Sequence, residues 1–196
     1  MSKKKRYPVR VPRFAAGIRA QELRAGSGRS WWAKRFIASL EALGLGGRFA
    51  RGRNYAMSGQ ITAIRLEGPH VEATVVGSRP DPYTVTVDFR VPDPAAHGRI
   101  VAGLRAEPML VARLLTDDMP LEVEGLFRAE GYDLFPGGKL GPGRYDVTTK
   151  CSCPDWANPC KHSAAVLLVL GEECARKPST LLELRGITME ELYDED

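Results

Sequence analysis

Three of the four cysteines and one of the three histidines fall within twelve residues of each other, in CSCPDWANPCKH, residues 151–162. Cys151 and Cys153 make a first pair, Cys160 and His162 a second, and a six-residue loop separates them. Deprotonated thiols and a neutral imidazole in two close pairs form a complete tetrahedral donor set for zinc, the metal that three sulfurs and one nitrogen suit best. Four strong protein ligands leave no position for an activated water, so the expected metal is one structural Zn2+. A thiol redox centre is disfavoured because no Cys-x-x-Cys opens a helix. Oxidation of the thiolates would nevertheless release the metal, which keeps a redox-sensing variant open.

The elements around the cluster must hold it. RYDVTTKC reads as a short strand leading into Cys151, and YDLFP as another before it. Cys160 and His162 open the apolar pattern CKHSAAVLLVLGEECA, which reads as a helix ended by Pro178. Metal binding would thus fasten a strand end to a helix start. Pro154 and Pro159 stiffen the loop, and Trp156 is expected to shield the sulfurs or pack onto the domain. Cys174, twelve residues past His162, is too far to ligate and reads as a small core hydrophobe. His70 is expected in a turn and His97 in a loop, both at the surface.

Farther upstream, Ser30 is an N-cap for SWWAKRFIASLEALG, whose Trp32, Phe36, Leu40 and Leu43 form one apolar stripe. Trp31 lies off that stripe and could be core or a base-stacking platform. QITAIRL, HVEATVV and PYTVTVDF read as a three-stranded antiparallel meander, the last with Tyr83, Val85, Val87 and Phe89 on one face. The Ser30 helix is its expected cover. From Ile100 to Arg128 the apolar spacing is helical, punctuated by Pro108 and Pro120. Thr188 and Glu191 form a capping box. The fold class is therefore α+β: an antiparallel β-meander with covering helices and a small C-terminal ββα zinc module. Expected boundaries are a basic, disordered arm (1–29), an α+β domain (30–143), the zinc module (144–175) and a helical tail (176–196).

Charge is unevenly distributed over the 196 residues. Residues 1–60 carry fourteen Lys or Arg against two acids, a net +12, whereas the remainder carries fourteen against twenty-two, a net −8. Such polarity suits a first third that meets a polyanion, although a solubilising tail would look similar. GLGGRFARGRNYAMSG sets Arg48, Arg51 and Arg53 among glycines and beside Phe49 and Tyr55, either a phosphate-contacting loop or a solvated turn. Lys34 and Arg35 complete the candidate nucleic-acid contacts. The longest apolar run stops at Gly171, too short for a membrane span. With no secretory signal pattern and few cysteines, the chain is expected to be cytoplasmic.

CSCPDWANPCKH followed by a small, apolar helix resembles the SWIM-type zinc finger, Cys-x-Cys, a variable spacer, then Cys-x-His, with all four positions matched. WWAKRFIASLEALGLGGRFARGRNYA, GSRPDPY and LLELRGIT resemble the layout of stand-alone bacterial SWIM proteins over about residues 30 to 190. The resemblance implies a module for DNA binding or protein contacts, working beside a Swi/Snf-type helicase-like ATPase. No phosphate-binding Gly-x-x-x-x-Gly-Lys-Ser/Thr loop is present, so ATP-driven work would belong to the partner. Two functions are expected from this: a noncatalytic nucleic-acid-binding accessory protein, or an adaptor whose zinc module binds a protein without touching DNA. No nucleophile, base and acid arrangement or paired carboxylates points to an enzyme.

Overall fold

A computed structural model describes residues 11–21, 30–137, 139–141 and 144–193. Helix α1 (Trp31–Ala42) starts as expected, with the Ser30 hydroxyl accepting the Ala33 amide at 3.4 Å. Helix α2 (Gly47–Met57) follows where the sequence suggested a loop. Strands β1 (Ile61–Glu67), β2 (His70–Val75) and β3 (Tyr83–Phe89) make the antiparallel meander. Three helices succeed it, α3 (Pro94–Arg105), α4 (Pro108–Leu115) and α5 (Leu121–Ala129). A two-stranded ribbon, β4 (Lys139–Gly141) with β5 (Arg144–Tyr145), precedes β6 (Val147–Cys151). The chain closes with α6 (Lys161–Arg176), α7 (Ser179–Glu183) and a 3-10 turn at Glu190–Leu192.

β6 joins the main sheet beside β3, giving the antiparallel order β1-β2-β3-β6. Its register sets Cys151 opposite Val85, which is opposite Ala73. Paired residues share a face, so the first ligand sits at the end of an edge strand on the face that carries the core. Val71, Val75, Tyr83, Val87 and Phe89 are buried on that face, as the alternation in β3 predicts. The cover is α6 and not α1, a correction with a simple cause. From His162 to Gly171 every residue of α6 is buried, and a helix apolar all round needs partners on every side. It packs on β3 and β6 below and on α1, α2 and α7 elsewhere.

Gly52 of α2 serves that packing. An added Cβ at Gly52 would lie 2.7 Å from the Cβ of Ala164 and 3.0 Å from the Lys161 carbonyl oxygen. A Gly52→Ala change would gain about 1 kcal/mol of helix propensity. Overpacking a tight contact costs about 1–3 kcal/mol, and here backbone atoms must move, so the clash wins. Urea denaturation should show a net loss of about 1–2 kcal/mol, whereas Gly47→Ala, whose Cβ would meet nothing nearer than the Arg51 guanidinium at 3.4 Å, should lose none.

Further expectations need correcting. Residues 11–21 of the supposed disordered arm run beside β1 and the end of α2. Ile18 bridges Ile61, the Ala20 amide donates to the Ala56 carbonyl at 3.0 Å, and Ala15 and Ala20 are buried. The rest of the arm lies outside the described residues. YDLFP is not a strand, because the carbonyls of Leu134 and Phe135 accept from Arg185 instead of a neighbouring strand. His97 sits on α3, half-buried, with Nε2 2.8 Å from Glu191; His70 lies on β2, with Nδ1 2.6 Å from Asp88. Trp31 resolves as packing, since its Nε1 donates to the Met119 carbonyl at 2.8 Å and its ring meets Phe135 edge-on. The capping box forms, the Thr188 amide donating to Glu191 at 2.7 Å, but a 3-10 turn and not an α-helix follows.

One element had no sequence signal. Arg185 and Asp146 are each 1% exposed and form a bidentate ion pair, with Nη1–Oδ1 3.0 Å and Nη2–Oδ2 2.8 Å. Arg185 also donates to the carbonyls of Arg90, Leu134 and Phe135, and Asp146 accepts the Gly137 amide at 2.6 Å. The pair ties the lead-in to β6 to the segment after α7. Cys174 is fully buried, as expected, and burial pushes its thiol well above the ordinary range.

Candidate metal centre

Cys151 ends β6, Cys153 follows it, Cys160 is the N-cap of α6, and His162 lies in the first turn of that helix. One donor atom from each falls within 4.8 Å of all the others. The His162 Nδ1 is 3.8 Å from both the Cys151 and the Cys160 Sγ. A tetrahedron with zinc bonds of about 2.3 Å to sulfur and 2.0–2.1 Å to nitrogen has edges of about 3.6–3.8 Å, so these residues fit one zinc ion with Nδ1 as the imidazole donor.

Electrostatics points the same way. Hydrogen bonds from Cys151, opposed by burial and helped by His162 and the Ser163 amide, pull the Cys160 thiol down to about 3. That group occupies a helix N-cap, where the amide of Ser163 reaches its sulfur at 3.5 Å and the helix dipole favours negative charge. The Cys151 thiol, sharing its proton with Cys160 and half-buried, is held far above the ordinary range, and burial raises Cys153. Three thiols this close cannot all ionise against one another; a dication removes that conflict by displacing their protons.

The surroundings lock the ligands. Tyr55 of α2 and Tyr83 of β3 pack on the His162 ring, centroids 5.1 and 4.6 Å away. Burial and the nearby thiols raise the Tyr55 phenol, so it stays neutral. Asn158 clamps the loop to β6, its Nδ2 donating to the Thr149 carbonyl at 2.6 Å while the Thr149 hydroxyl donates back to Oδ1. Trp156 neither shields the sulfurs nor packs on the domain: it is 91% exposed.

The five basic candidates separate. Arg48 leans over the Trp156 ring, its Cζ 5.6 Å from the centroid. Arg51 is exposed and lines a cavity with Tyr55 and Lys161 beside the metal ligands. Arg53 is committed locally, over the Phe49 ring and 3.7 Å from Glu41. Arg35 pairs with Glu124 of α5 at 3.0 Å, away from the cluster, and Lys34 is exposed on α1. Cations outside these five also stand near the cluster: Lys150, Lys161 and Arg79 line the clefts on either side of it, with Asp155 among them.

The fold and site define a closed Cys3His zinc finger in which a strand end and a helix start of the core are joined by one structural zinc. Residues 144–171 match the SWIM zinc finger family model, and this segment of the chain is a SWIM zinc finger. The chain is also similar to the uncharacterized protein Rv2102 of Mycobacterium tuberculosis, 36% identical over 185 residues, an alignment that covers 94% of this chain but 65% of that protein. No solved structure matches the chain. Among the described residues, no helix is long and apolar enough to cross a membrane.

Proposed function

We propose that the protein is a noncatalytic nucleic-acid-binding accessory protein whose zinc finger orients a cationic face. The observation that carries this is that Arg51, Lys150, Lys161 and Arg79 line clefts around the zinc-held junction and Arg48 leans over the Trp156 ring at the edge of one of them, none of the five being ion-paired among the described residues. Guanidinium and ammonium groups left free on a rigid face match phosphate oxygens. The finger supplies position and no chemistry, because its four ligands fill the zinc shell. Action in DNA transactions beside a helicase-like ATPase rests on the SWIM resemblance; the ATP-driven step would be the partner's.

The test is fluorescence anisotropy of the zinc-loaded protein with labelled DNA across a salt series. Binding should weaken linearly in log salt, and the double substitution Arg48→Ala, Arg51→Ala should lower the magnitude of that slope by about 2, one for each phosphate contact. Absence of binding at low salt would reject the reading. The adaptor reading is kept by one observation, the exposed Trp156, since tryptophan is favoured at protein interfaces. A stable partner captured by a protein that binds no DNA would establish it.

A further inference from the structure

Trp156 is the most exposed large apolar side chain among the described residues, at 91%. It is also rigidly presented. Its loop is bounded by the ligands Cys153 and Cys160, pinned by Asn158 to β6, and tightened where the Ala157 amide donates to the Asp155 carboxylate at 3.2 Å. A large aromatic held in solvent by a fixed loop loses little entropy when a ligand covers it.

Its neighbours identify the ligand. The Arg48 guanidinium lies over the ring, and Lys150 shares with Trp156 a cleft of about 250 Å³ that also contains Thr149, Asn158 and Asp155. Lys161 and Arg79 continue the charge on the other side of the loop. An indole among cations that form no ion pair among the described residues fits a ligand combining flat, unsatisfied rings with regularly spaced negative charge. In a duplex the bases are stacked on each other and unavailable, whereas in a single strand each base offers a free face. We infer that Trp156 is a stacking platform for a base of single-stranded nucleic acid, with Arg48 and Lys150 holding the flanking phosphates. This rests on the nucleic-acid reading above and names its substrate class.

The experiment compares the zinc-loaded full chain with its Trp156→Ala and Trp156→Phe variants, using a labelled oligothymidylate and a labelled duplex of equal length. Zinc content is measured for each, and the exposed position keeps all three folded. Trp156→Ala should bind the single strand about tenfold more weakly, with duplex affinity and salt slope unchanged, while Trp156→Phe retains most of the binding. Single-strand affinity unchanged in Trp156→Ala would overturn the inference and leave the nucleic-acid reading standing. Loss of captured protein partner in Trp156→Ala, with single-strand binding intact, would overturn it in favour of a protein-docking role. Failure of the parent protein to bind either probe at low salt would reject both.

Discussion

A Cys160→Ser protein is expected to purify without stoichiometric zinc and to melt at least about 10 °C below the parent. Cys160 is at once a zinc ligand and the N-cap of α6, the helix on which α1, α2 and the sheet pack. Structural zinc sites contribute apparent binding energies of about 10–16 kcal/mol in finger peptides, comparable with the whole stability of a typical domain. A serine hydroxyl preserves the cap but does not replace a thiolate on zinc, so the loss reports the metal. In a chain of this size each kcal/mol moves the melting temperature by about 2–4 °C, and several are at stake. Cys174→Ala is the control, because that buried thiol lies on the same helix away from the cluster and its removal should leave zinc content unchanged. Calorimetry with metal analysis checks both. Equal zinc and equal melting in Cys160→Ser would show that the cluster is not the metal site.

Replacing Arg185 by Met should cost about 3–5 kcal/mol, the loss expected when one member of a buried pair is removed and the other charge is left uncompensated. Asp146 would keep its Gly137 amide bond but lose both guanidinium contacts, and the carbonyls of Arg90, Leu134 and Phe135 would lose their donor. Because Asp146 leads into β6, the damage should reach the finger as a weaker grip on zinc. The pair itself need not be strongly stabilising, since well-packed apolar replacements of buried pairs are often neutral or better. The double substitution Arg185→Met, Asp146→Leu should therefore recover much of the loss, although the three carbonyls lose their Arg185 donor and the Gly137 amide its acceptor. Urea denaturation of the three proteins gives the comparison. A single Arg185→Met within about 0.5 kcal/mol of the parent would contradict the buried geometry.

The metal centre was legible because its ligands are close in sequence and their chemistry is narrow: a thiol pair and a thiol and imidazole pair have few other uses together. The meander and α6 were legible because period-two alternation and a long apolar run are each tied to one way of being buried. Helix α2 was not. Its glycines and arginines look like a loop, and it is helical because Gly52 lets it lie against Ala164 on a helix about a hundred residues later. The Arg185–Asp146 pair was invisible for a similar reason, two ordinary charges thirty-nine positions apart whose meaning depends on both being buried. Trp156 was misjudged in the opposite direction. A tryptophan beside metal ligands suggests shelter, whereas the ring stands in solvent on a loop clamped to β6. The basic candidates divided along the same line, since sequence counts charges but Glu124 and Glu41 decide which remain free.

X-ray absorption at the zinc edge of the purified protein, combined with metal stoichiometry, tests the structural finger most directly. One zinc per chain with three sulfur neighbours at about 2.3 Å and one nitrogen at 2.0–2.1 Å is the predicted result. Substoichiometric zinc, or a shell with two sulfurs and a water oxygen, would contradict it: the first would remove the staple between β6 and α6, and the second would reopen a position for chemistry.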